Sequence, residues 1–189
     1  MATADRKVIK HHAARLTPKA DTKPVTVQVD DSARLRQIRR LVRENNRSSL
    51  DENLVICQIY MESRFDANAE VSKSGARGLM QTTLDSVKQV YKRRKQKELG
   101  HMPSDKQTHE EFAVGEAMHD SPQIFDESTN IQLGTEYMQY CIDSTASIVD
   151  AYIKYRHLSN GIYYQKIRAC AEKLGTAPES MQLLRDMVK

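Results

Sequence analysis

Eight residues decide most about how this chain can fold. The run Leu54-Val55-Ile56-Cys57-Gln58-Ile59-Tyr60-Met61 is apolar nearly all round. A helix without a polar face belongs in the interior, with other elements packed about it. The run therefore predicts a buried central helix. Ser49 and Glu52 stand ahead of it at the N-cap and N3 positions of a capping box, which places its start at Ser49. Glu62-Ser63 falls in its last turn. At about 100° per residue, Glu62 shares a face with Val55, Gln58 and Ile59. A carboxyl against apolar walls loses hydration, and its neutral form is favoured. The negative end of the helix dipole pushes the same way. Glu62 is thereby predicted to hold a proton near neutral pH and to serve as a general acid. The alternative, on this helix alone, is a surface Glu at a frayed end.

The rest of the chain supplies helices to surround that one. Leu35, Ile38, Leu41 and Val42 mark an amphipathic helix opening at Asp31 or Ser32 and ending at Asn45-Asn46. Its outer face carries Arg34, Arg36, Arg39, Arg40 and Arg43, which suit either solvent or an anionic partner. Leu84, Val87, Val90 and Tyr91 begin a helix that runs into the basic stretch 92–97 and breaks at Gly100 and Pro103. Residues 101–125 are polar, with a short helix predicted from Glu110 to Met118. Further helices follow around Ile131–Ile142, Ile148–Tyr155, Ile162–Leu174 and Glu179–Val188. The prediction is an all-α domain over 32–189, preceded by a tail over 1–31. Val25, Val27 and Val29 alternate with polar residues, so the tail is either a flexible leader or an extended arm.

At 189 residues the chain can bury a core without disulfide or metal. No stretch approaches the roughly 20 apolar residues that span a bilayer, which excludes a transmembrane helix. A net charge of +4 is mild, and the basic residues lack an aromatic stacking platform, so nucleic acid is not the expected partner. Cys57, Cys141 and Cys170 form neither a disulfide framework nor a zinc pattern, and read as buried free thiols. The histidines at 11, 12, 101, 109, 119 and 157 show no ligand spacing with cysteine. Neither metal nor cofactor is implied.

After Glu62 comes a loop, 64–78, leading into Ser72-Lys73-Ser74-Gly75-Ala76-Arg77-Gly78-Leu79-Met80-Gln81. Gly75 and Gly78 allow positive φ and close approach of backbone to a ligand. Gln81 brings a donor and an acceptor, and Ser72 a hydroxyl, groups that can fix a sugar bearing acetamido and hydroxyl substituents. No Lys-Ser/Thr follows Gly78, so the loop is no phosphate cradle.

The segment from Glu62 to Gln81 resembles the signature of the soluble lytic transglycosylases and their goose-type lysozyme relatives. That signature is a Glu-Ser pair, an aromatic two residues on, a Ser, then Gly-Ala-x-Gly-Leu-Met-Gln. Here it reads Glu62-Ser63, Phe65, Ser72 and Gly75 to Gln81. A second block, Asn130-Ile131-Gln132-Leu133-Gly134-Thr135-Glu136-Tyr137-Met138, is similar to the family's Asn-Ile-x-x-Gly-x-x-Tyr-Leu helix. The likeness covers about residues 50–165. Departures are Asp66-Ala67-Asn68 where Asn-Pro is usual, Thr83 for a Met, and Tyr155-Arg156-His157 for the family's Tyr-Asn-Ala-Gly. Tyr155 or Tyr152 takes the tyrosine's place.

The resemblance implies a lysozyme-like fold and cleavage of the β-1,4 bond between N-acetylmuramic acid and N-acetylglucosamine in peptidoglycan. Glu62 would be the catalytic acid, with Ser72, Gly78, Gln81 and Tyr155 as substrate contacts. Closure of a 1,6-anhydro ring makes a lytic transglycosylase; attack by water makes a lysozyme, for which Asp66, Glu70 and Asp85 are the local second carboxylates. A glycan-binding or structural module of a secretion or phage machine is the non-catalytic alternative. The substrate lies in the periplasm or cell wall. No apolar core follows the basic residues at the N-terminus, which points to an effector or phage lytic protein carried by a secretion system, holin or virion, with an immunity protein as a further partner.

Overall fold

The computed structural model describes residues 31–189. Within them run α1 (Ala33–Asn45), α2 (Glu52–Ser63), β1 (Glu70–Val71), β2 (Ala76–Arg77), α3 (Leu84–Leu99), α4 (Asp105–Asp120), α5 (Glu127–Asp143), α6 (Ile148–Arg156), α7 (Ile162–Thr176) and α8 (Met181–Met187). The architecture is all-α, as the periodicity predicts. The two strands form a small antiparallel hairpin, with Glu70 opposite Arg77 and Val71 opposite Ala76. It lies in the segment read as loop, and two-residue strands are too short for alternation to reveal. The valines at 25–29, and the tail up to residue 30, lie outside the described residues.

The central helix is α2. Val55, Ile56, Cys57, Gln58 and Ile59 are wholly buried, and the helix packs against α1, α7 and α8. Burying each such aliphatic side chain contributes roughly 1.5–3 kcal/mol, so this helix anchors the core. Its start departs from the capping-box reading. Asp51 is the N-cap, its carboxylate accepting from Asn53 N at 2.8 Å. Ser49 instead donates its backbone N–H to Gln139 Oε1 on α5 at 2.7 Å. A contact 90 residues away thus holds Ser49 outside the helix. Glu52, freed from the box, pairs with Arg39 and with Arg43 Nε at 2.6 Å.

Those pairs also answer what the basic face of α1 is for. Arg34 pairs with Glu127, Arg36 with Glu179 at 3.2 Å, and Arg39 also bonds Pro178 O at 2.9 Å. The arginines tie α1 to α2, α5 and the α7–α8 turn. In the second basic stretch, Arg93 pairs with Asp143 at 2.8 Å and Arg94 with Glu136 at 2.8 Å, which joins α3 to α5.

The polar segment 101–125 holds a full helix, α4, longer than the Glu110–Met118 reading. Ser104 and Gln107 form a reciprocal capping box at its start. Its partner is α3, and Gly115 permits the close crossing: a Cβ there would meet Lys88 Cα at 3.0 Å. All three cysteines are buried free thiols.

Candidate active site

The site begins where α2 ends. Arg64 and Phe65, the next two residues, both adopt left-handed backbone, with φ of 57° and 66°. Each costs about 1–2 kcal/mol for a residue with a side chain. Arg64 Nη1 caps the helix by donating to Tyr60 O at 2.6 Å and Met61 O at 2.7 Å. Phe65 is buried edge-on against Tyr60 at 4.9 Å, and its carbonyl accepts from Arg34 Nη2 at 2.7 Å. These contacts offset the strain and fix the direction of the last turn.

That turn points Glu62 inward. Its side chain is 1% exposed. Tyr163 on α7 donates its hydroxyl to Oε1, and Arg156 at the end of α6 donates Nη1 to Oε2 at 2.7 Å. Burial pushes the carboxyl up to about 6, against the opposing pull of Arg156, the Tyr163 hydrogen bond and Arg64. Desolvation wins over two cations and a donor, so a proton is available close to neutral pH.

The glycine turn follows. Gly75, Gly78 and Gln81 have φ of 65°, 74° and 48°. Asn130 of α5 threads it: Oδ1 accepts from Met80 N at 2.7 Å, and Nδ2 donates to Ile124 O at 2.8 Å, Arg77 O at 3.0 Å and Thr82 Oγ1 at 3.2 Å. A Cβ on Gly78 would lie 2.3 Å from Asn130 Nδ2, and one on Gly134 would lie 2.5 Å from Met80 Cβ. The two sequence blocks are therefore one interlocked unit. Between the hairpin, this turn, the start of α3, Tyr137 and the end of α6 lies a groove of about 310 Å³.

The sequence-predicted residues divide over this geometry. Glu62 is beside the groove but does not line it; Arg156, which does, stands in contact with its carboxyl. Gln81 lines it, with Nε2 already donating to Ala69 O at 3.0 Å and Gly78 O at 2.9 Å. Tyr155 lines it too, its hydroxyl donating to Met80 O at 2.8 Å, whereas Tyr152 is buried in the core. Ser72 is exposed at the hairpin turn, and Ser74 rather than Ser72 lines the groove. Gly78 is buried against Asn130. Arg156 and Tyr163 were not singled out as site residues. They reach Glu62 across 94 and 101 residues of sequence. Only the position of Arg156, directly after Tyr155, offered a signal.

Residues 41–160, more than half of the chain, match the family described as the Transglycosylase SLT domain. The protein belongs to the SLT transglycosylase family. Neither a curated protein nor a solved structure matches the chain. Membership carries transglycosylase chemistry that cleaves glycosyl bonds, with peptidoglycan as substrate and the periplasm or cell wall as its place. The matched span holds both the glycine turn and Asn130. Among the described residues no helix is long and apolar enough to cross a membrane. The SLT span ends at 160, so Tyr163, the donor to Glu62 Oε1, lies just beyond it.

Proposed function

We propose that the protein is a lytic transglycosylase that breaks the β-1,4 bond between N-acetylmuramic acid and N-acetylglucosamine and leaves a 1,6-anhydro end. The observation that carries this is the buried Glu62 carboxyl, held at about 6 beside the groove. Protonated Glu62 gives its proton to the glycosidic oxygen, and the bond from that oxygen to the muramic C1 breaks. The acetamido group of the same sugar supports the positive charge at C1. The Glu62 carboxylate then takes the proton of the muramic 6-hydroxyl as that oxygen attacks C1. The carboxyl is restored and no water is consumed. One carboxyl serves both steps because the nucleophile belongs to the substrate.

Hydrolysis by a pair of carboxyl groups would place the second within about 5–10 Å of the first. Among the described residues, the groups that shift the Glu62 carboxyl are Arg156, Tyr163 and Arg64, none of them a carboxyl. Asp66, Glu70 and Asp85 are exposed, with Glu70 drawn to Arg77 at 2.9 Å and Asp66 bonded to Asn68 N at 2.9 Å. Gln81 and Tyr155 are the proposed glycan contacts inside the groove, and Ser72 an outer one on the hairpin. Gly78 acts by admitting the Asn130 amide.

The test is a mass spectrum of purified sacculi digested by the full chain. Anhydro-muropeptides are the expected product, and Glu62→Gln should release none. Reducing ends in their place would make the enzyme a lysozyme. No soluble product at all would end the enzymatic reading.

A further inference from the structure

We infer that Arg156 couples proton donation by Glu62 to a carboxylate on the glycan: an anionic substrate in the groove draws the guanidinium off Glu62, and a neutral one does not. This rests on Glu62 being the acid proposed above. Arg156 faces two ways. Nη1 lies 2.7 Å from Glu62 Oε2, yet its side chain is 42% exposed and lines the groove. Glu62 itself lies behind it, so a glycosidic oxygen in the groove meets the guanidinium before the carboxyl. Among the described residues no acidic side chain lines the groove, whereas Arg156 and His157 do, which makes that end of it complementary to an anion. Arg156 is also the last residue of α6, and His157 after it is left-handed with φ of 52°. Its guanidinium rests 5.6 Å from the Tyr163 ring on its inner side, and the exposed remainder faces the groove.

The chemistry follows from charge. With Arg156 in place the carboxylate form of Glu62 is stabilised, which suits a resting enzyme and not a proton donor. Among the described residues the other charged or titratable groups that face Glu62 are Tyr155 on α6, Tyr163 on α7 and Arg64 after α2. When Arg156 turns to a substrate carboxylate, the Tyr163 donor and the more distant Arg64 remain, and Glu62 binds its proton more tightly. Peptidoglycan offers that carboxylate on the stem peptide or, where the peptide is removed, on the lactyl group of muramic acid. A bidentate guanidinium recognises either.

Three substrates test this with the full chain: strands bearing stem peptides, peptide-free strands, and peptide-free strands whose lactyl carboxylates are converted to methylamides. The wild-type kcat/KM should be about tenfold lower on the neutralised strands, the size of one charge-assisted contact. The faster of the two anionic strands identifies which carboxylate is read. Arg156→Gln should erase the discrimination and move the high-pH limb of the profile up by about one unit. Arg156→Lys should retain part of both. Equal cleavage of all three strands by the wild type, which needs no variant, would overturn the inference and leave the proposed function standing. Cleavage of none would overturn the proposed function instead. An Arg156→Gln enzyme that discriminates as before and keeps the wild-type pH limb would also overturn it.

Discussion

The glycine turn 75–81 and the niche of Glu62 border the same groove, and both are built from polar groups that water hardly reaches. In the turn the backbone groups that Asn130 reaches are matched to a neutral partner. Asn130 alone bonds Met80 N, Ile124 O, Arg77 O and Thr82 Oγ1. In the niche a carboxyl is held between its wish to stay neutral in a dry site and the cation that would ionise it. A matched network stiffens a fold; an unbalanced one stores reactivity. The difference teaches that the more conspicuous sequence motif is the scaffold, while the perturbed carboxyl belongs to the less conspicuous one.

Exchanging the damage between the two regions tests that contrast most sharply. Glu62→Gln should lower kcat on sacculi by about 10³-fold, within the usual worth of a general acid, while circular dichroism stays native. Residual turnover near wild type would remove Glu62 from the mechanism. Asn130→Ala should do the reverse, removing stability first. It strands the Met80 N–H and the Ile124 carbonyl in a buried site, while the Arg77 carbonyl keeps its bond from Thr82 N at 3.0 Å, at a cost of about 2–5 kcal/mol in urea unfolding. A native urea midpoint for that variant would show the turn to be self-supporting.

The next effect is smaller and depends on pH. The Glu62 carboxyl sits at about 6 in the folded protein against an ordinary 4.5. Raised in the fold, it contributes stability that is complete below pH 4.5 and lost as pH climbs through about 6. Wild type should therefore lose about 2 kcal/mol between pH 4.5 and 7 relative to Glu62→Gln, whose side chain cannot ionise. Parallel stability curves for the two proteins would show that the niche carries no such imbalance. Activity should follow the same group, falling as pH rises through about 6.

The smallest effect lies one turn earlier on α2. Gln58 is wholly buried, and neither Oε1 nor Nε2 makes a hydrogen bond among the described residues. Gln58→Met keeps the shape and removes the unpaired amide, so it should stabilise the protein by about 1 kcal/mol. A lower urea midpoint would show that the amide is satisfied after all, and that the turn is not alone in matching its polar groups.

How far the sequence could be read depended on the range of the interaction involved. The apolar run 54–61 and the periodic spacings of α1, α3, α5 and α7 are local, and the helices appear where they predict. The start of α2 is not local: Ser49 and Asp51 are both good caps, and Gln139 decides between them by holding Ser49 away. The hairpin escaped because its strands are two residues long. Residue type and resemblance say that Ser72 and Gly78 belong to the site but not where each faces: one sits at the exposed hairpin turn and the other is buried against Asn130.

By itself the sequence determined an all-α chain with a buried central helix and an acid in its last turn, because hydrophobic periodicity and helix geometry are properties of neighbouring residues. Only the tertiary structure decided what that acid would feel. Arg156 and Tyr163 come from helices distant in sequence, and burial between α2, α6 and α7 turns their attraction into a contest with desolvation. Electrostatic balance depends on distance through space and on the exclusion of water, and a linear string of residues fixes neither.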